Sequence, residues 1–200
     1  MILTISGNPG SGKTTVAKLL SERLKLKHYY MGGIRRQIAK DRGMTIEEFN
    51  KLGETDPSTD KIVDDYLVKL GKTEDNFIAE GRTAAHFIPD SIKIFVDVDL
   101  RVGAERILKD LTEKGQKSVR NETSAVTVEG QMKLLKERNA SDAERYKKYY
   151  GIDIADKKMY DLWLDTSDMS PEQVYEKIAS FVRSYRVSKD NQKPKSKPKV

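Results

Sequence analysis

Gly7-Asn8-Pro9-Gly10-Ser11-Gly12-Lys13-Thr14 fits G-x-x-x-x-G-K-[ST], the phosphate-binding loop. Its flanks supply the context the motif needs. Met1-Ile2-Leu3-Thr4-Ile5-Ser6 reads as a short apolar strand. Val16 to Leu24 reads as a helix, with Val16, Leu19, Leu20 and Leu24 on its apolar face. Glycines let the backbone turn tightly and approach phosphate oxygens with no Cβ in the way. Their N–H groups, with the helix N-terminus, form an anion cradle. Lys13 is expected to reach the β- and γ-phosphates, and the Thr14 hydroxyl to hold Mg²⁺. Gly7 to Thr14, with Thr15 behind them, are the expected nucleotide contacts. A glycine-rich turn capping a helix is the bland alternative; strand, loop, Lys and Thr in this order favour a bound triphosphate.

The rest of the composition narrows the class. A chain of 200 residues suits one domain with a small mobile subdomain, and 37% hydrophobic residues can build a core. There is no cysteine, which excludes disulfides, thiolate zinc sites and cysteine nucleophiles and fits a reducing cytosol. With His28 and His86 as the two histidines, a histidine-rich metal site is not expected. No apolar run reaches membrane-spanning length, and the opening strand leaves no room for a signal peptide. A cytoplasmic, monomeric protein is the expectation. The net charge of +6 belongs to residues 183–200, which hold seven Lys or Arg and one Asp. The remainder is neutral, so the pI implies no folded nucleic-acid-binding face.

Further along, Lys25 to Tyr30 enters a second strand, Gly32-Gly33 breaks it, and Ile34 to Arg42 reads as a helix ended by Gly43. Thr45-Ile46-Glu47-Glu48 is a capping box, and Asp56-Pro57 starts a helix to about Leu70. The predicted buried side of that helix is Ile62, Val63, Tyr66, Leu67 and Leu70. Asn76 to Gly81 and Ile92 to Asp99 are further strands, the latter followed by a helix over Val102–Leu111. Gly115 to Thr127 is polar and irregular. A long helix follows over Val128–Tyr149, then a strand over Asp161–Asp165 and a helix from Ser170-Pro171 to about Tyr185. Residues 187–200 are mostly Lys, Pro, Ser, Asn and Gln, and their composition predicts a disordered tail. Strands alternating with helices predict a parallel sheet covered on both faces, with ligands at the C-terminal strand ends.

A phosphate-transfer enzyme needs a second phosphate-binding surface. Arg35, Arg36, Arg82, Arg106, Arg120, Arg138 and Arg145 are the candidates, since a guanidinium grips phosphate bidentately and keeps its charge. Arg82 follows an apolar strand at the ligand end, and Arg36 starts a helix facing the same region. Each has a surface ion pair as its plain alternative. Glu80 can hold a Mg²⁺-bound water. Asp97 and Asp99 share one face of their strand; either can orient the metal shell, and Asp99 equally suits a helix N-cap. Asp60 and Asp64 are either base-reading or ordinary polar positions.

The chain resembles the archaeal-type cytidylate kinases, a branch of the nucleoside monophosphate kinases. The resemblance covers most of residues 1–182. It rests on the phosphate loop, on Gly32 to Ala39 leading into Arg42-Gly43-Met44, on Glu54 to Lys61, on Glu80-Gly81-Arg82, and on Arg145 to Asp153. Tyr160-Asp161-Leu162 and Asp165-Thr166-Ser167 complete it. It implies a P-loop kinase fold over residues 1–186 with a central five-stranded parallel sheet flanked by helices. It also implies an acceptor-binding helical segment at about residues 31–72 and a lid at about 111–145. The implied reaction is transfer from ATP, with Mg²⁺, to CMP or dCMP. Lys13, Arg82, Arg138 and Arg145 would be catalytic, Arg36 and Arg82 would bind the acceptor, and Thr14 and Glu80 would serve the metal. Asp165 to Ser167 would pass near the adenine. Where the family usually has Ser-Ala-Gly-Asp, this chain has Tyr30-Met31-Gly32-Gly33, and Arg35 stands where an apolar residue is common. Two alternatives stay open: a kinase of another nucleotide or small metabolite, and a non-catalytic nucleotide- or RNA-binding protein using the basic tail.

Overall fold

The computed structural model describes residues 1–113, 125 and 127–192. β1 (Ile2–Gly7) runs through the phosphate loop into α1 (Lys13–Leu24), and β2 (Lys27–Tyr30) leads into α2 (Met31–Asp41), α3 (Ile46–Gly53) and α4 (Ser58–Thr73). β3 (Phe77–Glu80) precedes the short α5 (Ala84–Phe87), and β4 (Ile92–Asp97) precedes α6 (Leu100–Glu113). α7 (Val128–Tyr150), a 3₁₀ turn (Lys157–Met159), β5 (Leu162–Asp165) and α8 (Pro171–Gln192) complete the described chain. All pairings are parallel, in the order β2-β3-β1-β4-β5. The expected five-stranded sheet is therefore present.

β1 lies in the centre and is buried on both faces, with Leu3 and Ile5 on one and the hydroxyls of Thr4 and Ser6, bonded to Ser91 Oγ and Gly81 O, on the other. Leu3 and Ile5 pack with Val16, Leu20, Ile78, Ile94, Ile178 and Val182, so α1 and α8 cover one side. Phe77 and Ala79 pack with Leu67, Leu70 and Ile88, so α4 and α5 cover the other. Chain order reverses beside β1, with β3 on one flank and β4 on the other. That switch point opens a crevice at the C-terminal strand ends, where the phosphate loop sits. Gly7 closes the floor of the loop at φ +146, where a Cβ would lie 2.0 Å from Val96 O.

Several local expectations need correction. Gly32 and Gly33 do not break the chain but form the first turn of α2. The first turn makes no internal N–H bond, so glycine costs less there than mid-helix. Ile62 is 46% exposed, and the buried stripe of α4 instead runs Asp60, Val63, Asp64, Leu67 and Leu70. α8 continues to Gln192, so 187–192 are helical rather than a disordered tail. Once a helix is docked, each further residue adds a backbone bond at little cost. Residues 193–200, and 114–124 and 126 of the expected lid, lie outside the described residues. No helix among the described residues is long and apolar enough to cross a membrane.

Candidate phosphoryl-transfer site

A cleft of about 1300 Å³ opens over the phosphate loop. The loop is braced from beneath. Asn8 Nδ2 donates to Asp97 Oδ1 at 2.7 Å, and Trp163 Nε1 donates to Asp97 Oδ2 at 3.1 Å. Asp97 thus holds the loop rather than a metal. Asp99 caps α6, its Oδ1 accepting from Arg101 N at 2.8 Å and Val102 N at 3.2 Å. Pro9, Gly10, Gly12, Thr14 and Thr15 line the cleft. Ser11 Oγ, also in the lining, is buried without a hydrogen-bond partner, an open donor beside the place where phosphate is expected.

Lys13 Nζ donates to Asn8 O at 2.6 Å. Desolvation, followed by the nearby Arg82 cation, lowers its pKa to about 7 against the opposing pull of Glu80. Arg138 and Arg36 also act on its charge. Four cations from four parts of the chain therefore converge on one cleft: Lys13 from α1, Arg36 from α2, Arg82 beyond β3 and Arg138 from α7. Such mutual repulsion is tolerated where an anion is to be bound.

Thr14 Oγ1 donates to Glu80 Oε1 at 2.6 Å, and Glu80 Oε2 lies 3.0 Å from His28 Nε2. Glu80 is 2% exposed. The Thr14–Glu80 pair is an all-oxygen site, the donor type that Mg²⁺ takes. His28 was not anticipated in it.

Arg82 and Arg145 part company. Arg82 lines the cleft and pairs with Asp142. Arg145 is fully buried and absent from the lining. Its guanidinium donates to Asp60 at 2.9 Å, Asp142 at 2.6 Å and Ser141 at 3.0 Å. Asp60 in turn meets Arg35 Nη1 at 2.7 Å. The result is an alternating chain, Arg35–Asp60–Arg145–Asp142–Arg82, linking α2, α4 and α7 to the cleft. Arg145 therefore props Arg82 through Asp142 and does not itself face the cleft in this state.

Arg106 donates to Thr166 O at 2.7 Å and Ser167 O at 3.0 Å, so its guanidinium stands in the cleft wall beside Thr166. Asp64 also lines the cleft, accepting from Thr83 Oγ1 at 2.8 Å and from Tyr150 OH. Burial raises its pKa to about 6 despite both bonds. Nothing in the sequence marks Asp142 or Tyr30 as a site residue, and Asp60 and Asp64 admit two readings there. Arg120 lies outside the described residues.

A braced phosphate loop at a sheet switch point, faced by arginines from separate segments, defines a P-loop phosphotransferase. The chain belongs to the cytidylate kinase-like family, which it matches over residues 2–168. It is 39% identical over 176 residues to a cytidylate kinase of Pyrococcus furiosus, spanning 88% of this chain and 84% of that protein. A cytidylate kinase of Methanococcoides burtonii is 41% identical over 167 residues, spanning 84% and 88%. Among solved structures, shikimate kinase from Aquifex aeolicus superposes with a TM-score of 0.54 at 19% identity, spanning 94% of this chain and 99% of that one. At that identity the likeness is one of fold.

Proposed function

We propose that this chain transfers the γ-phosphoryl group of ATP to CMP or dCMP, yielding ADP and the nucleoside diphosphate. The observation that carries this is the convergence of Lys13, Arg36, Arg82 and Arg138 on the phosphate-loop cleft. The names of the relatives supply the acceptor.

The triphosphate lies in the cradle of Gly7 to Thr15, with its adenine against Arg106 and Thr166. Arg36 and Arg82 take the acceptor phosphate and aim one of its oxygens at the γ-phosphorus. That oxygen bonds to phosphorus as the bond to the β-phosphate oxygen breaks, and ADP leaves with the electron pair. The attacking oxygen is already anionic, so no general base is required; the work is alignment and charge neutralisation. Lys13 and Arg138 face the oxygens on which charge spreads during transfer. Thr14, with Glu80 behind it, would hold Mg²⁺, which when bound would supply positive charge to the β- and γ-phosphates. Arg145 acts at one remove, holding Asp142 against Arg82.

A single cleft with two nucleotide subsites has a direct test. An adenosine–cytidine pentaphosphate spans both, and calorimetry on the full chain measures its affinity beside that of ATP. Joining the halves is expected to tighten binding by about 10²–10⁴-fold over ATP alone, at one molecule per chain. Affinity equal to that of ATP would overturn the two-subsite arrangement.

A further inference from the structure

Tyr30 sits where β2 ends and α2 begins, at the N-cap position with φ −104 and ψ 94, and its side chain makes no cap bond. It lines the cleft. Its hydroxyl accepts a hydrogen bond from Arg36 Nη1, and the Arg36 guanidinium carbon stands 5.7 Å from its ring centroid. His28 also stacks on the ring, with centroids 6.3 Å apart and an interplanar angle of 27°.

The ring lies across the two glycines that follow. A Cβ on Gly33 would fall 2.8 Å from Tyr30 Cδ1. One on Gly32 would fall 2.8 Å from Tyr30 Cε2 and 3.2 Å from Arg36 Nη1. Neither glycine has a positive φ, so what it supplies here is room rather than backbone freedom. The ring and the glycines are thus one unit. A side chain at position 33 and a tyrosine ring at position 30 claim the same volume.

We propose that Tyr30 is a positioning residue for the acceptor phosphate, fixing Arg36 in the cleft from a seat that Gly32 and Gly33 leave open. This rests on the reading that Arg36 grips that phosphate. The chemistry favours a phenol in this place. A carboxylate partner would hold Arg36 but cancel its charge. A neutral phenol oxygen accepts one N–H without bringing a negative charge of its own. The four residues Tyr30 to Gly33, which depart from the resembled family's Ser-Ala-Gly-Asp, are then an alternative way of orienting the same arginine. They are not a loss of the acceptor site.

Initial-rate kinetics on the full chain, with CMP and ATP varied separately, tests this. Tyr30→Phe keeps the ring and removes the hydroxyl. Its KM for CMP is expected to rise about five- to tenfold, the worth of one hydrogen bond, with kcat and the KM for ATP within about twofold. Gly33→Ala is expected to raise the KM for CMP about fivefold or more beside Tyr30, and less than about twofold in a Tyr30→Ser background. Arg36→Ala separates the two levels of the argument. If it raises the KM for CMP while Tyr30→Phe does not, the role of Tyr30 is overturned and that of Arg36 stands. If Arg36→Ala leaves the KM for CMP unchanged, the acceptor reading of Arg36 fails, and the proposal with it. An equal effect of Gly33→Ala in both backgrounds would overturn the shared seat.

Discussion

Alanine at Lys13 is expected to lower the acceptor-dependent rate by about 10³-fold while leaving the thermal midpoint unchanged or slightly higher. The ammonium is the cation nearest the phosphate loop's own backbone, bonded to Asn8 O at 2.6 Å. Its charge is costly in the free protein, where desolvation and Arg82 depress its pKa to about 7. A bound triphosphate offsets both effects by supplying negative charge. Above about pH 7 the free protein has given up this proton and the complex retains it, so nucleotide binding takes a proton up. At about pH 8.5 calorimetry in buffers of different ionisation enthalpy should show uptake approaching one proton, falling towards zero below about pH 6. Lys13→Ala should abolish that uptake. The unfolded chain still holds the proton up to an ordinary lysine pKa of about 10.4, so this group makes stability rise with pH between those two values, and the variant should lack that rise. Wild-type rates in the variant, or a proton uptake that survives the substitution, would refute the role given to Lys13.

Arg145→Ala should be the most destabilising single change in the polar part of the molecule, at about 3 kcal/mol. The side chain is fully buried, and removing it strips charged partners from Asp60 and Asp142, 4% and 3% exposed. Arg35 and Arg82 still face those carboxylates, which places the loss at the lower end for a broken buried pair. For a chain of this length that corresponds to a fall in midpoint of about 6–12 °C, read by urea or thermal unfolding. Arg145→Lys should recover part of it, since one charge remains but the fork reaching both carboxylates is gone. A loss under about 1 kcal/mol would show that the chain of charges carries little of the fold's stability.

The parts of the molecule that were legible in the sequence are those set by local chemistry. The phosphate loop, the capping box at Thr45 and Glu48, and the five strands announce themselves through turn residues, caps and apolar runs. Glu80 and Arg82 were legible because an apolar strand ends on them. What stayed hidden depends on partners far away in the chain. Asp60 and Asp64 lie on the same helical stripe as Val63 and Leu67, yet an apolar pattern scores aspartate as solvent-facing. Arg35 and Arg145, which make burial of Asp60 possible, come from two other helices. Ile62 was placed inward by the same rule and is exposed because the aspartates take the inner positions. The resemblance implies a catalytic Arg145, whereas its side chain is spent on carboxylates beneath the cleft. The glycine pair after Tyr30 looked like a break, because the ring that occupies its space cannot be seen from propensity.

ADP release from Mg·ATP, measured with CMP, dCMP, UMP, AMP, GMP, dTMP and no acceptor in turn, tests the central claim most directly. The account predicts that CMP and dCMP raise the rate about 10²-fold or more over the acceptor-free reaction, with the purine monophosphates far behind. ADP release that is the same with every monophosphate as with none would contradict it.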